Sequence, residues 1–423
     1  MRRRLLLLTL LALLALPGRA AAQQAGPAEG LPLSGIQSIS TGIDHTCALL
    51  TSGQVYCWGG GSYGKLGNDD PNNHSSPTPA LVVDVDGIGP LTGVTQITAG
   101  SNHTCALLTD HEVRCWGFND SGQLATNTGY SSFRVPQIAL NVAGSGPLTG
   151  VLAIDAGGDT TCAVLTSHQL RCWGYNGYGN VGGGSPANAQ LPRPVSNPEG
   201  TGRLTGVAQV SVGSSTVCAR LQNGQARCWG YNIAGQVGDG TRTNRSRPRV
   251  VKAVAGPGPL TGVTQISTGE SLSCARLQSG QVRCWGRNVE GGLGIGHGPA
   301  RSTRPVAVQS SPTGGPLRSV TEVQVGTFGA CARLTNARAR CWGIGDYGQM
   351  GNGDLDLNNY FPDAVVNVSG TGRLQGVQQL SHAHRHVCAR MNDGTARCWG
   401  YGLSGNLGDG DTVDAPLPVI VSA

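Results

Sequence analysis

From Val94 to Gly117 the chain alternates in short stretches. Val94, Gln96 and Thr98 fall on one side of an extended segment and Thr95 and Ile97 on the other, before the turn residues Gly100-Ser101-Asn102. A second β-rich run, His103 to Leu108, leads to a turn at Thr109 to His111, and a third strand is predicted from Glu112 to Trp116. A polar, glycine-rich stretch comes after Trp116-Gly117, and a fourth strand is expected to follow a proline, as in Pro79 to Val85. No stretch carries helical periodicity.

The pattern returns seven times. Fourteen cysteines form seven pairs of equal spacing: Cys47 with Cys57, Cys105 with Cys115, Cys162 with Cys172, Cys218 with Cys228, Cys274 with Cys284, Cys331 with Cys341 and Cys388 with Cys398. Trp-Gly follows every second member. The first cysteines of successive pairs lie 58, 57, 56, 56, 57 and 57 residues apart, so no domain is inserted between copies. Four short antiparallel strands in each of seven copies predict an all-β fold, a seven-bladed β-propeller. An open solenoid needs distinct polar caps, whereas the first and last copies look like the middle ones, so a closed ring is expected. If the proline-led strand pairs with the next copy, Pro416 to Val421 must return beside Gln37 to Thr41; otherwise that strand stays in its own blade.

Each cysteine pair flanks a hairpin turn, Ser52 in the first copy, with equal arms on either side, which places the sulfurs opposite one another. Seven hairpin disulfides are therefore expected. Structural zinc sites want two to four residues between ligands, a spacing these pairs do not have. The tryptophans Trp58, Trp116, Trp173, Trp229, Trp285, Trp342 and Trp399 recur at one offset, as inter-blade packing positions require.

The opening MRRRLLLLTLLALLALPGRAAAQ has a basic start, an apolar run from Leu5 to Leu16 and small residues before Gln23. It reads as a secretory signal over 1–22, cleaved near Ala22, with a linker over 23–35 and a single propeller over 36–423. The run is too short and too broken by Pro17-Gly18 for a membrane span. Oxidised hairpins and an exported chain agree on a secreted, extracellular or periplasmic setting. Of the formal charge of +6, the leader's Arg2, Arg3, Arg4 and Arg19 carry four, leaving +2, which is no electrostatic footprint for nucleic acid.

The units CALLTDHEVRCWGFNDSGQL (105–124), CARLQNGQARCWGYNIAGQVGDG (218–240) and CARMNDGTARCWGYGLSGNLGDG (388–410) resemble the repeat of the regulator of chromosome condensation family over roughly residues 36–421. The resemblance implies a seven-bladed propeller. Members acting on the nuclear GTPase lack a secretion signal and a cysteine pair in every blade, so nucleotide exchange ranks third among the functions considered. Secreted bacterial β-lactamase-inhibitory propellers are similar in size and compartment, and inhibition of an extracellular or periplasmic enzyme ranks second. The leading expectation is a secreted, non-catalytic scaffold, monomeric and without cofactor or metal, that binds a protein or cell-envelope partner.

Candidate chemistry changes this little. Gly60-Gly61-Ser62-Tyr63-Gly64 fits a hydrolase elbow, but that motif needs a strand-to-helix turn, and Gly64 aligns with Gly122 and Gly235 of the repeat. His382, His384 and His386 alternate and on a strand would share a face, yet His45 and His103 occupy the same repeat position as His386. Asp354, Asp356 and Asn358 open like a calcium loop that Asn359 and Val365 fail to continue. Four aromatics stand out of register with the repeat, Tyr130 and Phe133 in the second copy and Tyr360 and Phe361 in the sixth, and they are the expected partner-binding residues. Arg242, Arg245, Arg247, Arg249, Arg287, Arg301 and Arg304 gather in copies four and five, and Asp354, Asp356, Asp363, Asp409, Asp411 and Asp414 in six and seven.

Overall fold

The computed structural model of the protein describes residues 30–129, 131–355 and 358–423. The expected leader at 1–22 and the linker before residue 30 lie outside them, as do Tyr130 and Asp356. Twenty-eight strands form seven four-stranded sheets, each built from four consecutive antiparallel strands. In blade 1 these are Ile36–Thr41, His45–Leu50, Val55–Gly59 and Ser76–Leu81. The first strands of neighbouring blades contact one another around the ring, the last blade meeting the first, and so surround the axis.

The hairpin arithmetic holds. Cys47 stands in register with Cys57, Cys105 with Cys115, Cys162 with Cys172 and Cys218 with Cys228. Cys274 likewise faces Cys284, Cys331 faces Cys341 and Cys388 faces Cys398. All seven disulfides form, with Cα–Cα distances of 4.1 Å. Seven disulfides belong to an oxidising compartment. Each closes a loop of about ten residues, for which chain entropy gives roughly 2–3 kcal/mol. Replacing Cys162 and Cys172 together by alanine is expected to lower stability by about that amount, read as a shift in the urea midpoint. A shift below about 0.5 kcal/mol would mean that the hairpin is already ordered in the unfolded chain.

Every tryptophan is fully buried and latches onto the preceding blade through its indole N–H. Trp116 Nε1 donates to the Lys65 carbonyl at 3.0 Å, Trp229 to Asn180 at 2.7 Å, and Trp58 to Asn406 of blade 7 at 3.1 Å. The glycine after each tryptophan has φ between 96° and 112°. A Cβ on Gly59 would lie 2.5 Å from the Asp44 carbonyl oxygen, so the Trp-Gly dipeptide is a steric requirement of the turn beside it.

Histidines add a second set of stitches. His386 Nε2 bonds Thr46 Oγ1 at 2.9 Å, His45 bonds Thr104 at 3.0 Å and His103 bonds Thr161 at 2.8 Å, running from blade 7 to blade 3. Thr46, Thr104 and Thr161 each donate their own proton to a carbonyl of the preceding blade, Asn406, Lys65 and Gln123, so the imidazole N–H must be on Nε2. His382 and His386 sit on different strands with His384 in the turn between them, so the three do not share a strand face.

Two expectations are corrected. The fourth strand does not follow its proline but contains it: Pro79 falls in the irregular stretch between the pairs Cys57↔Ala80 and Gly59↔Ser76. A proline recurs there in all seven outermost strands, where a missing N–H costs no ladder bond and discourages pairing with another molecule. Nor does the last strand cross to blade 1. Ala415–Ile420 remains beside its own third strand, the pairing with the smallest loop-closure entropy. The ring closes instead through residues 30–33 and 421–423: Leu33 N–H donates to Val421 O at 3.0 Å and Ala423 N–H to Leu31 O at 2.7 Å, with Pro32 bridging Ser422. In the other blades one connection makes this bridge by itself, as Val83 does with Pro90.

Candidate functional site

Side chains on the inner strands are shared between neighbours. At one level Ser40 accepts the Ala99 N–H (3.0 Å), Thr98 the Ala156 N–H (2.9 Å), Asp155 the Val212 N–H (2.7 Å) and Ser211 the Thr268 N–H (3.0 Å). Ser267 and Ser381 do the same for Val325 and Thr41. The seventh blade-to-blade position holds Gln324. Above this belt the strand-to-strand turns ring a cavity of about 360 Å³.

The cavity is polar and acidic. No lysine or arginine is among its lining residues, whereas Asp155 and Glu270 are. Burial pushes the Asp155 carboxyl up to about 7, against the hydrogen bonds from Val212 and Thr98, and raises Glu270. His382 and His384 at the mouth are held by burial at about 3 and about 4, hence neutral at physiological pH. The wall therefore offers hydroxyl donors and carboxylate acceptors.

Glu270 also borders a second cavity of about 390 Å³, between the turns of blades 4, 5 and 6. Tyr231, Ile233, Val289 and Phe328 supply its apolar walls, and Ile233 and Val289 are 45% and 52% exposed. Arg287 lies 5.0 Å over the Phe328 ring, with its Nε bonded to Glu290 at 2.9 Å, an attachment that raises its pKa. Arg242 and Arg301 both reach the Ile233 carbonyl. No ion pair among the described residues engages Glu270. Tyr231 shares its offset after the tryptophan with Phe118, Tyr175 and Tyr401 and so reads as a repeat residue, which hid this groove; the signal was an apolar residue two after it and at the same offset in the next blade, Ile233 and Val289.

The residues expected to bind a partner are placed elsewhere. Phe133 lies on the outermost strand of blade 2, half-buried, beside a depression of about 840 Å³ that includes Tyr63 and Asp69. Tyr360 and Phe361 are likewise on an outermost strand, not in a loop: Tyr360 packs 3.9 Å from the His297 ring, and Phe361 covers Gly296 of blade 5. The register aromatics pair across blades, Tyr63 with Phe118, Tyr178 with Tyr231 and Tyr347 with Tyr401. Ser62 opens a one-turn 3-10 segment, which is not the elbow a hydrolase nucleophile needs.

Of the arginine group, Arg245 is held by Asp239 at 2.7 Å and Arg287 by Glu290. Among the described residues no group of three or more histidine, cysteine, aspartate or glutamate side chains could hold a metal ion, and no helix is long and apolar enough to cross a membrane.

Sequence models of the regulator of chromosome condensation (RCC1) repeat match residues 36–65, 94–123, 151–180, 207–236 and 263–291, and a second model of the same repeat matches 52–107, 168–220 and 223–276. Together they cover more than half of the chain. The ultraviolet-B receptor UVR8 of Arabidopsis thaliana is 28% identical over 398 residues, 91% of this chain and 81% of that protein. The human E3 ubiquitin-protein ligase HERC2 is 31% identical over 249 residues, 58% of this chain but only 5% of that protein. Human WBSCR16 superposes with a TM-score of 0.70 at 20% identity, covering 88% of this chain and 94% of that one. Prp20p of Saccharomyces cerevisiae, studied for its binding to Gsp1p and histones, does so with a TM-score of 0.65 at 22% identity, covering 82% and 80%. At such identities the two structures speak for the fold alone.

Proposed function

Because the chain belongs to the regulator of chromosome condensation (RCC1) repeat family, we propose that it is a secreted, non-catalytic binding scaffold that captures a protein on the face carrying the central cavity. One observation carries this reading: Glu270 is shared by the acidic cavity and by an apolar groove whose walls, Ile233 and Val289, stand exposed. The matching partner presents a loop with an apolar side chain for the groove and a lysine or arginine for Glu270. The groove rests on turns fixed by disulfides, indole latches and backbone stitches, so little ordering entropy opposes capture.

Affinity capture from the producer's medium and envelope, with Ile233→Asp and Val289→Asp combined, tests the assignment. Each apolar anchor is worth about 1.5 kcal/mol or more on burial, so at least a tenfold loss of capture is expected. Phe133→Ala serves as the comparison. Undiminished capture by the aspartate variant, with loss in Phe133→Ala, would move the site to the outer strand of blade 2. If the captured partner is an enzyme silenced at one-to-one stoichiometry, the scaffold is an inhibitor; release of nucleotide from a small GTPase would instead favour exchange.

A further inference from the structure

The belt around the axis carries one charge that its stitching does not require. Six of its positions are uncharged, Ser40, Thr98, Ser211, Ser267, Gln324 and Ser381 in blades 1, 2, 4, 5, 6 and 7, and blade 3 places Asp155 there. A serine makes the same bond to the next blade, as Ser211 does with the Thr268 N–H, so the fold at this position is satisfied without a carboxylate. Asp155 Oδ2 accepts the Val212 N–H at 2.7 Å and Oδ1 the Thr98 hydroxyl at 3.2 Å, which leaves each oxygen with a lone pair to spare.

Among the described residues no ion pair engages Asp155, and no lysine or arginine lines the cavity it faces. Burial raises its carboxyl to about 7, and no cation is among the groups that act on it. Arg385, next to His384 at the mouth, is turned away: its guanidinium lies 4.7 Å over the Tyr347 ring and donates to the Tyr347 hydroxyl at 3.1 Å. The hydroxyls of the belt are also incompletely used. Ser40, Ser211 and Ser267 each accept a backbone N–H across a seam, and among the described residues their own protons meet no acceptor. All three line the same cavity as Asp155.

A ligand complementary to this wall carries a cation for the carboxylate and oxygens for the serine protons. The volume of about 360 Å³ is in the range of small-molecule sites. A metal ion fits the donor set poorly, since among the described residues no group of three or more histidine, cysteine, aspartate or glutamate side chains is available to it. We propose that the axial cavity binds a small hydroxylated amine, an amino sugar, with its ammonium on Asp155 and its hydroxyl oxygens accepting from the serines of the belt. This site rests on Asp155 and the belt, not on the groove at Ile233 and Val289, and is independent of protein capture.

The oxidised protein is titrated calorimetrically with glucosamine in an amine-free buffer. N-acetylglucosamine, which has the ring without the cation, and ethylamine, which has the cation without hydroxyls, are titrated in parallel. Saturable binding of glucosamine is expected, about tenfold or more tighter than either comparison compound. Asp155→Ser, the residue that blades 1, 4, 5 and 7 carry at that position, keeps a hydroxyl for the Val212 N–H and should weaken glucosamine binding about tenfold or more. Asp155→Asn, of the same shape, should do so too, and neither variant should melt below the parent without ligand. Ile233→Asp combined with Val289→Asp should bind glucosamine as the parent does, which distinguishes this site from the groove. Glucosamine that does not saturate, a comparison compound that binds as tightly, or aspartate variants that bind like the parent overturn the assignment.

Discussion

Alanine in place of Trp58 is expected to cost about 3–5 kcal/mol and to open the ring at one seam. Six of the seven seams are crossed by the chain itself. The seam between blades 7 and 1 has no covalent link and rests on Trp58, the His386–Thr46 bond, the Gln379 clamp on Ile39 and the bridge between residues 30–33 and 421–423. Trp58 is fully buried among Leu33, Ile36, Ile39, Cys388, Cys398, Leu407 and Val421, residues of both sides of that seam. Gly408 lies so close beneath it that a Cβ there would come within 2.5 Å of the indole nitrogen. Trp229→Ala removes the same indole from a seam the chain crosses and loses a similar transfer free energy. Hydrogen exchange separates the two variants. Amides in the first strands of blades 1 and 7 should exchange faster in Trp58→Ala, whereas Trp229→Ala should speed exchange only locally around blades 3 and 4. Equal exchange patterns in the two variants would refute the seam account.

Acidification is expected to destabilise the protein strongly. Burial holds His103, His382 and His386 at about 3, and His45 well below its ordinary value for the same reason, with Lys65 and the neighbouring histidines adding to it. In the unfolded chain an imidazole titrates near 6.5. The folded values are depressed, so the unfolded chain takes up protons first: the histidine contribution is complete above pH ~6.5 and is lost as pH falls towards about 3. For His103, His382 and His386 the span amounts to on the order of 5 kcal/mol each at its limit.

Asp155 acts in the opposite direction. Burial raises it to about 7, so its contribution is present below about pH 4 and is lost as pH rises through about 7. Burial raises Asp159, Glu270, Glu322 and Asp409 in the same direction as Asp155, but His384, lowered to about 4, joins the four buried imidazoles, whose depression outweighs these carboxyls, and urea midpoints should fall between about pH 7 and about pH 4.5. Threonine occupies the position of His103 and His386 in blades 3 and 4, as Thr160 and Thr216. His103→Thr with His386→Thr should therefore flatten the pH dependence while keeping the fold, and Asp155→Asn should steepen it. A midpoint that holds or rises on acidification would mean that these imidazoles reach solvent or an acidic partner.

Much of this architecture could be read along the chain because each blade is built from local contacts. The cysteine pairs, the hairpins and the Trp-Gly turn all depend on residues within one repeat, and seven copies report the same answer. Blade boundaries were less legible. A proline reads as a strand breaker until the strand is known to be the outermost, where its missing N–H faces no partner. The histidines were legible through the repeat, since His45 and His103 share the position of His386, and Ser381 to His386 indeed spans a turn and not one strand face.

The candidate site was barely legible. Out-of-register aromatics drew attention to Phe133, Tyr360 and Phe361, which the ring places on its outer strands. The groove at Glu270 draws on blades 4, 5 and 6, so its members are spread from Tyr231 to Phe328 and share no motif.

Repeat number, strand count, disulfide pairing and the burial of the tryptophans were determined by sequence alone, because they follow from the two-residue period of a strand and the arm lengths of a hairpin. How the ring closes, which surfaces remain open and which charges lack a counter-charge were decided only in three dimensions. Those properties arise between blades, where residues more than fifty positions apart compete for the same hydrogen-bond partners, and no local pattern records which of them wins.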